Sequence, residues 1–116
     1  MKEQFKNSFQ HHLVCSLAKR PDRATTFDKY QALALAIRDL MVEKWIATQL
    51  DYELRRPRSM YYLSLEYLIG RQMGNSLINL DVYEHVEKAM EELGLDLHEL
   101  REQETDAGLG NGGLGR

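Results

Sequence analysis

The sequence has little of what a disulfide-stapled, membrane-spanning or strongly charged protein needs. Its one cysteine, Cys15, allows no internal disulfide and fits a reducing compartment. Leu13, Val14 and Leu17 surround that thiol in sequence, which predicts a small core side chain rather than a nucleophile. The longest apolar run, Ala32 to Ile37, falls far short of the roughly 20 residues that cross a bilayer. "MKEQFKNSFQ" at the start has no apolar core of a secretory signal. A net charge of -3 is too small to point to a nucleic-acid or membrane partner. These absences predict a soluble, cytoplasmic chain whose partner is neither nucleic acid nor membrane. At 116 residues it is one domain at most.

What is present is mostly helical pattern. Phe5, Phe9, Leu13 and Leu17 recur every fourth residue and predict an amphipathic helix over about 2–18. Pro21 interrupts it, and Thr25 with Asp28 forms a capping pair in front of a second helix over 26–55. Tyr30, Leu33, Ile37, Leu40, Met41, Ile46, Leu50 and Leu54 fall on one broad face of that helix, and nothing stops it before Pro57. Tyr61, Leu63 and Leu65 alternate, predicting a short strand over about 60–65. Gly70 and Gly74 bracket a turn or a short helix. Asp81 with Glu84 opens a helix over 81–93 that Gly94 closes, and Asp96 with Glu99 opens another over 97–103. The expected fold class is mainly α, with long helices and one short strand. A lone strand leaves unpaired edges, so the chain reads as the opening of a larger α/β domain.

Glycine is concentrated at the end. Five of the eight glycines lie in "DAGLGNGGLGR", residues 106–116. Gly108, Gly110 and Gly113 spell G-x-G-x-x-G, but no strand-then-helix context supports a dinucleotide fingerprint, and no Gly-Lys-Ser/Thr supports a P-loop. Unshielded backbone N–H groups there form a nest for an anion or a sugar oxygen, or the run is a floppy terminus left by truncation. Residue chemistry alone leaves both open. "HELRE" (98–102) has Glu102 where a zinc-protease helix needs its second histidine, so a solvated face is expected and no metal site. His11, His12 and His85 read as surface or boundary histidines. "RRPR" and "KRPDR" read as solvated loops or a subunit contact, with phosphate as the rival. Glu66 stands between an apolar strand and a glycine turn, where α/β proteins place polar residues in a ligand crevice, with Arg71 as a candidate partner.

Two motifs in order, "YYLSLEYLIGRQMGNSLINL" and "DAGLGNGGLGR", resemble the N-terminal region of the α-glucan phosphorylases (glycogen, starch and maltodextrin phosphorylases). "FKNSFQHHL" and "DKYQALALAIRDLMVEKWIATQ" are similar to that family's first two helices. The resemblance runs from Phe5 to Arg116. It implies that the chain is an incomplete N-terminal fragment of a two-domain α/β, GT-B-like glycosyltransferase. Such enzymes release glucose 1-phosphate from α-1,4-glucan with inorganic phosphate, using the 5′-phosphate of pyridoxal phosphate for proton chemistry.

Carried onto this chain, the resemblance gives Glu66 a polar role beside the reacting sugar. It turns the backbone of Gly112 and Gly113 toward the cofactor or substrate phosphate, and makes Asn111 and Leu114 substrate-binding. The cofactor lysine belongs to the second domain and has no counterpart here, so the fragment is expected to bind no cofactor and to be inactive alone. "AKRPDRATTFDKY" matches a dimer-interface loop, implying a homodimeric parent, and unpartnered apolar faces imply self-association of the fragment. Glu53 and Leu50 stand where muscle-type members hold AMP with an aromatic and a glutamine, which argues against AMP activation. The rival readings are a freestanding helical interaction module and a small anion- or nucleotide-binding protein that uses the glycine loop.

Overall fold

Phe5, Phe9 and Leu13 are all buried, so the four-residue spacing of the first helix does mark its inward face. The computed structural model describes residues 1–108, and its elements are α1 (Lys2–His11), α2 (Thr26–Arg55), α3 (Met73–Asn79), α4 (Tyr83–Glu92) and α5 (Leu97–Arg101). The expected helix over 2–18 is not α-helical throughout. His12–Ser16 is a π-helix, with the Leu17 N–H donating to the His12 carbonyl at 3.0 Å, and Ala18 ends it at φ 54°. The wider winding leaves Cys15 exposed, correcting the expectation of a core thiol. His12 clasps this turn to α2, its Nε2 2.7 Å from Asp39 Oδ2 and its Nδ1 2.8 Å from Ser16 Oγ.

The second helix has the predicted bounds. Thr25 and Asp28 form the reciprocal capping box: the Thr25 side chain accepts from the Asp28 N–H, and the Asp28 carboxylate accepts from the Thr25 N–H. Arg56 closes the helix in the left-handed region, and Pro57 cannot continue it. Its inward face is shorter than predicted. Ala32, Leu33, Ala36 and Ile37 are buried, whereas Met41, Trp45, Ile46, Leu50 and Leu54 are exposed. A 30-residue helix is roughly 45 Å long, and among the described residues its buried side chains all lie in its first half.

Those helices form one core. Leu33, Leu77, Val86 and Met90 are its largest fully enclosed side chains, and Leu97 and Leu100 of α5 complete it. Helix α1 packs on both α2 and α4, and α5 touches α2 and α4. Lys6 Nζ lies 2.7 Å from Glu92 Oε2, and Lys2 pairs with the other oxygen of the same carboxylate. Lys2 and then Lys6 thereby hold the Glu92 carboxyl down to about 2.

Two helix ends differ instructively. Gly94, at φ 76°, closes α4 as predicted: its N–H donates to the Glu91 carbonyl and that of Leu95 to the Met90 carbonyl. Asp81 does not cap α4. It sits at φ 59° and ends α3, with the Val82 N–H reaching back to the Leu77 carbonyl, so α4 starts from Val82 without a side-chain cap. An aspartate tolerates the left-handed region better than most residues, and the same position cannot also serve as an extended N-cap. Asp96 does cap α5, accepting from the His98 N–H at 3.0 Å.

The expected strand over 60–65 is absent from the described residues, where the sole β-type pairing is a bridge at Tyr67. A strand is defined by its ladder, and the described residues supply no second strand beside this segment. Its apolar side chains stand in solvent instead, with Met60 94% and Leu63 90% exposed.

Candidate functional site

The segment carrying Glu66 is extended and then bends. The Ser64 hydroxyl donates to the Glu66 carbonyl at 2.7 Å and accepts from the Glu66 N–H at 3.2 Å, a local turn that fixes the backbone at this residue. The Tyr67 hydroxyl donates back to the Tyr62 carbonyl at 3.1 Å, and the two rings meet edge to face. Glu66 itself is half-buried. After Gly70, whose φ of 72° requires the left-handed region, the chain turns into α3.

Arg71 was the candidate partner for Glu66; it lies instead 3.1 Å from Glu102, and that pairing holds the Glu102 carboxyl below the usual range. This contact is the first of a series. The Glu104 carboxylate accepts from the Gln72 N–H at 2.7 Å and from the Met73 N–H at 3.2 and 3.0 Å. Helix α3 has no side-chain cap of its own, so a residue more than 30 positions away satisfies its first donors. Gly74 then faces Arg101 so closely that a Cβ would lie 2.5 Å from a guanidinium nitrogen. Arg101 Nη1 donates to the Tyr83 hydroxyl at 3.0 Å. Residues 71–74 are thus buckled onto residues 101–104 by the Arg71–Glu102 pair, the Glu104 cap and the packing of Arg101 on Gly74.

Tyr30 of α2 lies beside this buckle, in a groove it shares with Gln72, Met73 and Glu104. Burial first, and the Glu104 charge second, push the Tyr30 hydroxyl upward. The glycine run begins four residues after Glu104. Gly108 is exposed, with open space where a Cβ would stand. Asn111, Gly112, Gly113 and Leu114 lie outside the described residues.

The chain is 50% identical over 113 residues to the liver form of glycogen phosphorylase from Homo sapiens. It is 49% identical to the brain form from Bos taurus and 48% identical to the muscle form from Ovis aries. Each match takes in 97% of this chain. The chain is homologous to the glycogen phosphorylases. It spans 13% of the length of these relatives and corresponds to their N-terminal part. No protein-family model matches it.

With 113 of 116 residues matched, the similarity to glycogen phosphorylases takes in nearly all of both motifs singled out in the sequence, and among the described residues 71–74 are joined to 101–104. Glu104, the residue that joins them, carries no local signal. Its partners are backbone N–H groups across a large sequence gap, and only the acidic stretch "EQETD" hints that a carboxylate waits there. No helix among the described residues is long and apolar enough to cross a membrane.

Proposed function

We propose that this chain serves as the N-terminal part of an α-glucan phosphorylase, which releases glucose 1-phosphate from α-1,4-glucan by attack of inorganic phosphate. The observation that carries this reading is the near-50% identity to glycogen phosphorylases along almost the whole chain. In this reading Glu66 is a polar neighbour of the reacting glucose. The backbone N–H groups of Gly112 and Gly113 face phosphate, because glycine leaves them unshielded, and Asn111 and Leu114 line the sugar.

Such an enzyme works with pyridoxal 5′-phosphate, whose own phosphate supplies proton chemistry next to the substrate phosphate. At the described start of the glycine run, Gly108 is exposed, with open space among the described residues where a side chain would stand. The chain's share of the work is one wall of the site: binding, orientation and exclusion of water. Spanning 13% of the length of its relatives, these 116 residues alone are catalytically silent in this reading. The parent is a cytoplasmic homodimer in this reading.

The test is phosphate-dependent release of glucose 1-phosphate from a maltooligosaccharide by the longest polypeptide the gene encodes, loaded with pyridoxal phosphate. Release that stops when phosphate is omitted supports the reading. No release, or release of free glucose instead, overturns it. A second reading, a helical interaction module, draws on the exposed stripe of Met41, Trp45, Ile46, Leu50 and Leu54. It predicts stable self-association of a gene product that lacks catalysis.

A further inference from the structure

We propose that Glu104 is a positioning residue: its carboxylate, by capping α3, fixes the point from which the glycine run leaves the helical body relative to the segment that carries Glu66. This rests on the phosphorylase reading above and names how the wall of that site is held in shape.

Three observations converge on it. The Glu104 carboxylate takes the N–H groups of both Gln72 and Met73, at 2.7 to 3.2 Å, using both of its oxygens. It does so half-buried, beside Tyr30, where a charge-assisted hydrogen bond is worth more than in open water. It is also flanked by two further contacts, the Arg71 guanidinium donating to Glu102 and the Arg101 guanidinium, packed over Gly74, donating to the Tyr83 hydroxyl of α4. Residues 101 and 102 lie at the end of α5, which Leu97 and Leu100 root in the core. Residues 73 and 74 open α3, which Leu77 roots in the same core. A carboxylate that spans two core-rooted elements sets their relative position.

The sequence distances make this a lever on the site. Glu104 lies four residues before Gly108 and eight before Gly112, and Gln72 lies six residues after Glu66. Productive geometry in an active site tolerates displacement of only about half an ångström. Releasing the buckle therefore loosens residues 105–108, from which the glycine run departs, against the segment that carries Glu66 without touching either.

The experiment has two readouts on Glu104→Ala and Glu104→Gln. The first is amide hydrogen exchange at Gln72 and Met73 in the full gene product. Protection falls at least tenfold in Glu104→Ala and less in Glu104→Gln, which keeps one acceptor oxygen. Unchanged protection in Glu104→Ala overturns the proposal.

The second readout is steady-state kinetics of the full gene product. KM for phosphate rises roughly tenfold in Glu104→Ala, with partial rescue in Glu104→Gln, while unfolding midpoints of the two variants stay close enough to leave both folded at the assay temperature. A cap with no positioning role loses amide protection and thermal stability yet keeps the wild-type KM for phosphate, and that result overturns the proposal while sparing the phosphorylase reading. A wild-type gene product that releases no glucose 1-phosphate overturns the phosphorylase reading, and the positioning role with it.

Discussion

Replacing Gly74 by alanine sets two effects against each other. Alanine in a helix removes the conformational freedom that glycine loses on folding, a gain of about 0.5–1 kcal/mol. The new Cβ stands 2.5 Å from Arg101 Nη2, 2.8 Å from Cζ and 3.1 Å from Nε, so the guanidinium must swing away. That movement breaks its 3.0 Å bond to the Tyr83 hydroxyl, which is part-buried. A hydrogen bond to a charged group is worth about 1.5–3 kcal/mol. The loss therefore exceeds the gain, and Gly74→Ala destabilises the chain by about 1–2 kcal/mol, a fall in midpoint of roughly 4 °C per kcal/mol at this size. Urea titration and thermal unfolding followed by circular dichroism measure it. In an Arg101→Ala background nothing remains to displace, and the same substitution becomes stabilising by about 0.5–1 kcal/mol. The reversal of sign is the diagnostic. If Gly74→Ala stabilises the wild-type chain, or shifts both backgrounds equally, the close packing of Arg101 on α3 is wrong.

Three more outcomes follow from named contacts. Thr25→Ala removes half of the capping box of α2 and lowers stability by about 1 kcal/mol, read from the same urea titration. The folded-state pKa of Glu92 is depressed to about 2 from 4.5. Its contribution is therefore present above about pH 4.5 and disappears as pH falls toward 2, so Glu92→Gln flattens the acid limb of the stability curve in that window. Glu92 also raises the Lys6 ammonium, so the variant loses the matching fall in stability at pH above the usual lysine range. Trp45→Glu with Ile46→Lys charges the exposed half of α2, and sedimentation velocity then shows less self-association than the wild-type chain at equal concentration.

What the sequence made legible was whatever is encoded within a few residues. The capping box at Thr25 and the stop at Pro57 gave α2 its bounds, and Gly94 gave α4 its end, because each is a local stereochemical device. Asp81 misled because one residue type serves both as an N-cap and as a left-handed helix end, and backbone conformation alone decides between them. The alternation of Tyr61, Leu63 and Leu65 encodes a surface for a neighbour rather than a strand in itself. Glu104 escaped notice because its partners are main-chain groups of Gln72 and Met73, which leave no trace in side-chain pattern. Of the candidate site, Glu66 lies half-buried at a tight turn, and Arg71 pairs with Glu102, a partner that proximity in sequence does not suggest.

The most direct test of the central claim compares the full gene product with its Gly113→Val variant in the direction of glucan phosphorolysis, with unfolding midpoints measured alongside. The account predicts that a side chain at this position fills the volume meant for phosphate, so that glucose 1-phosphate release falls at least a hundredfold while the midpoint moves by no more than a few degrees. A variant that releases glucose 1-phosphate at the wild-type rate contradicts the assignment of the glycine run to the wall of a phosphorylase site.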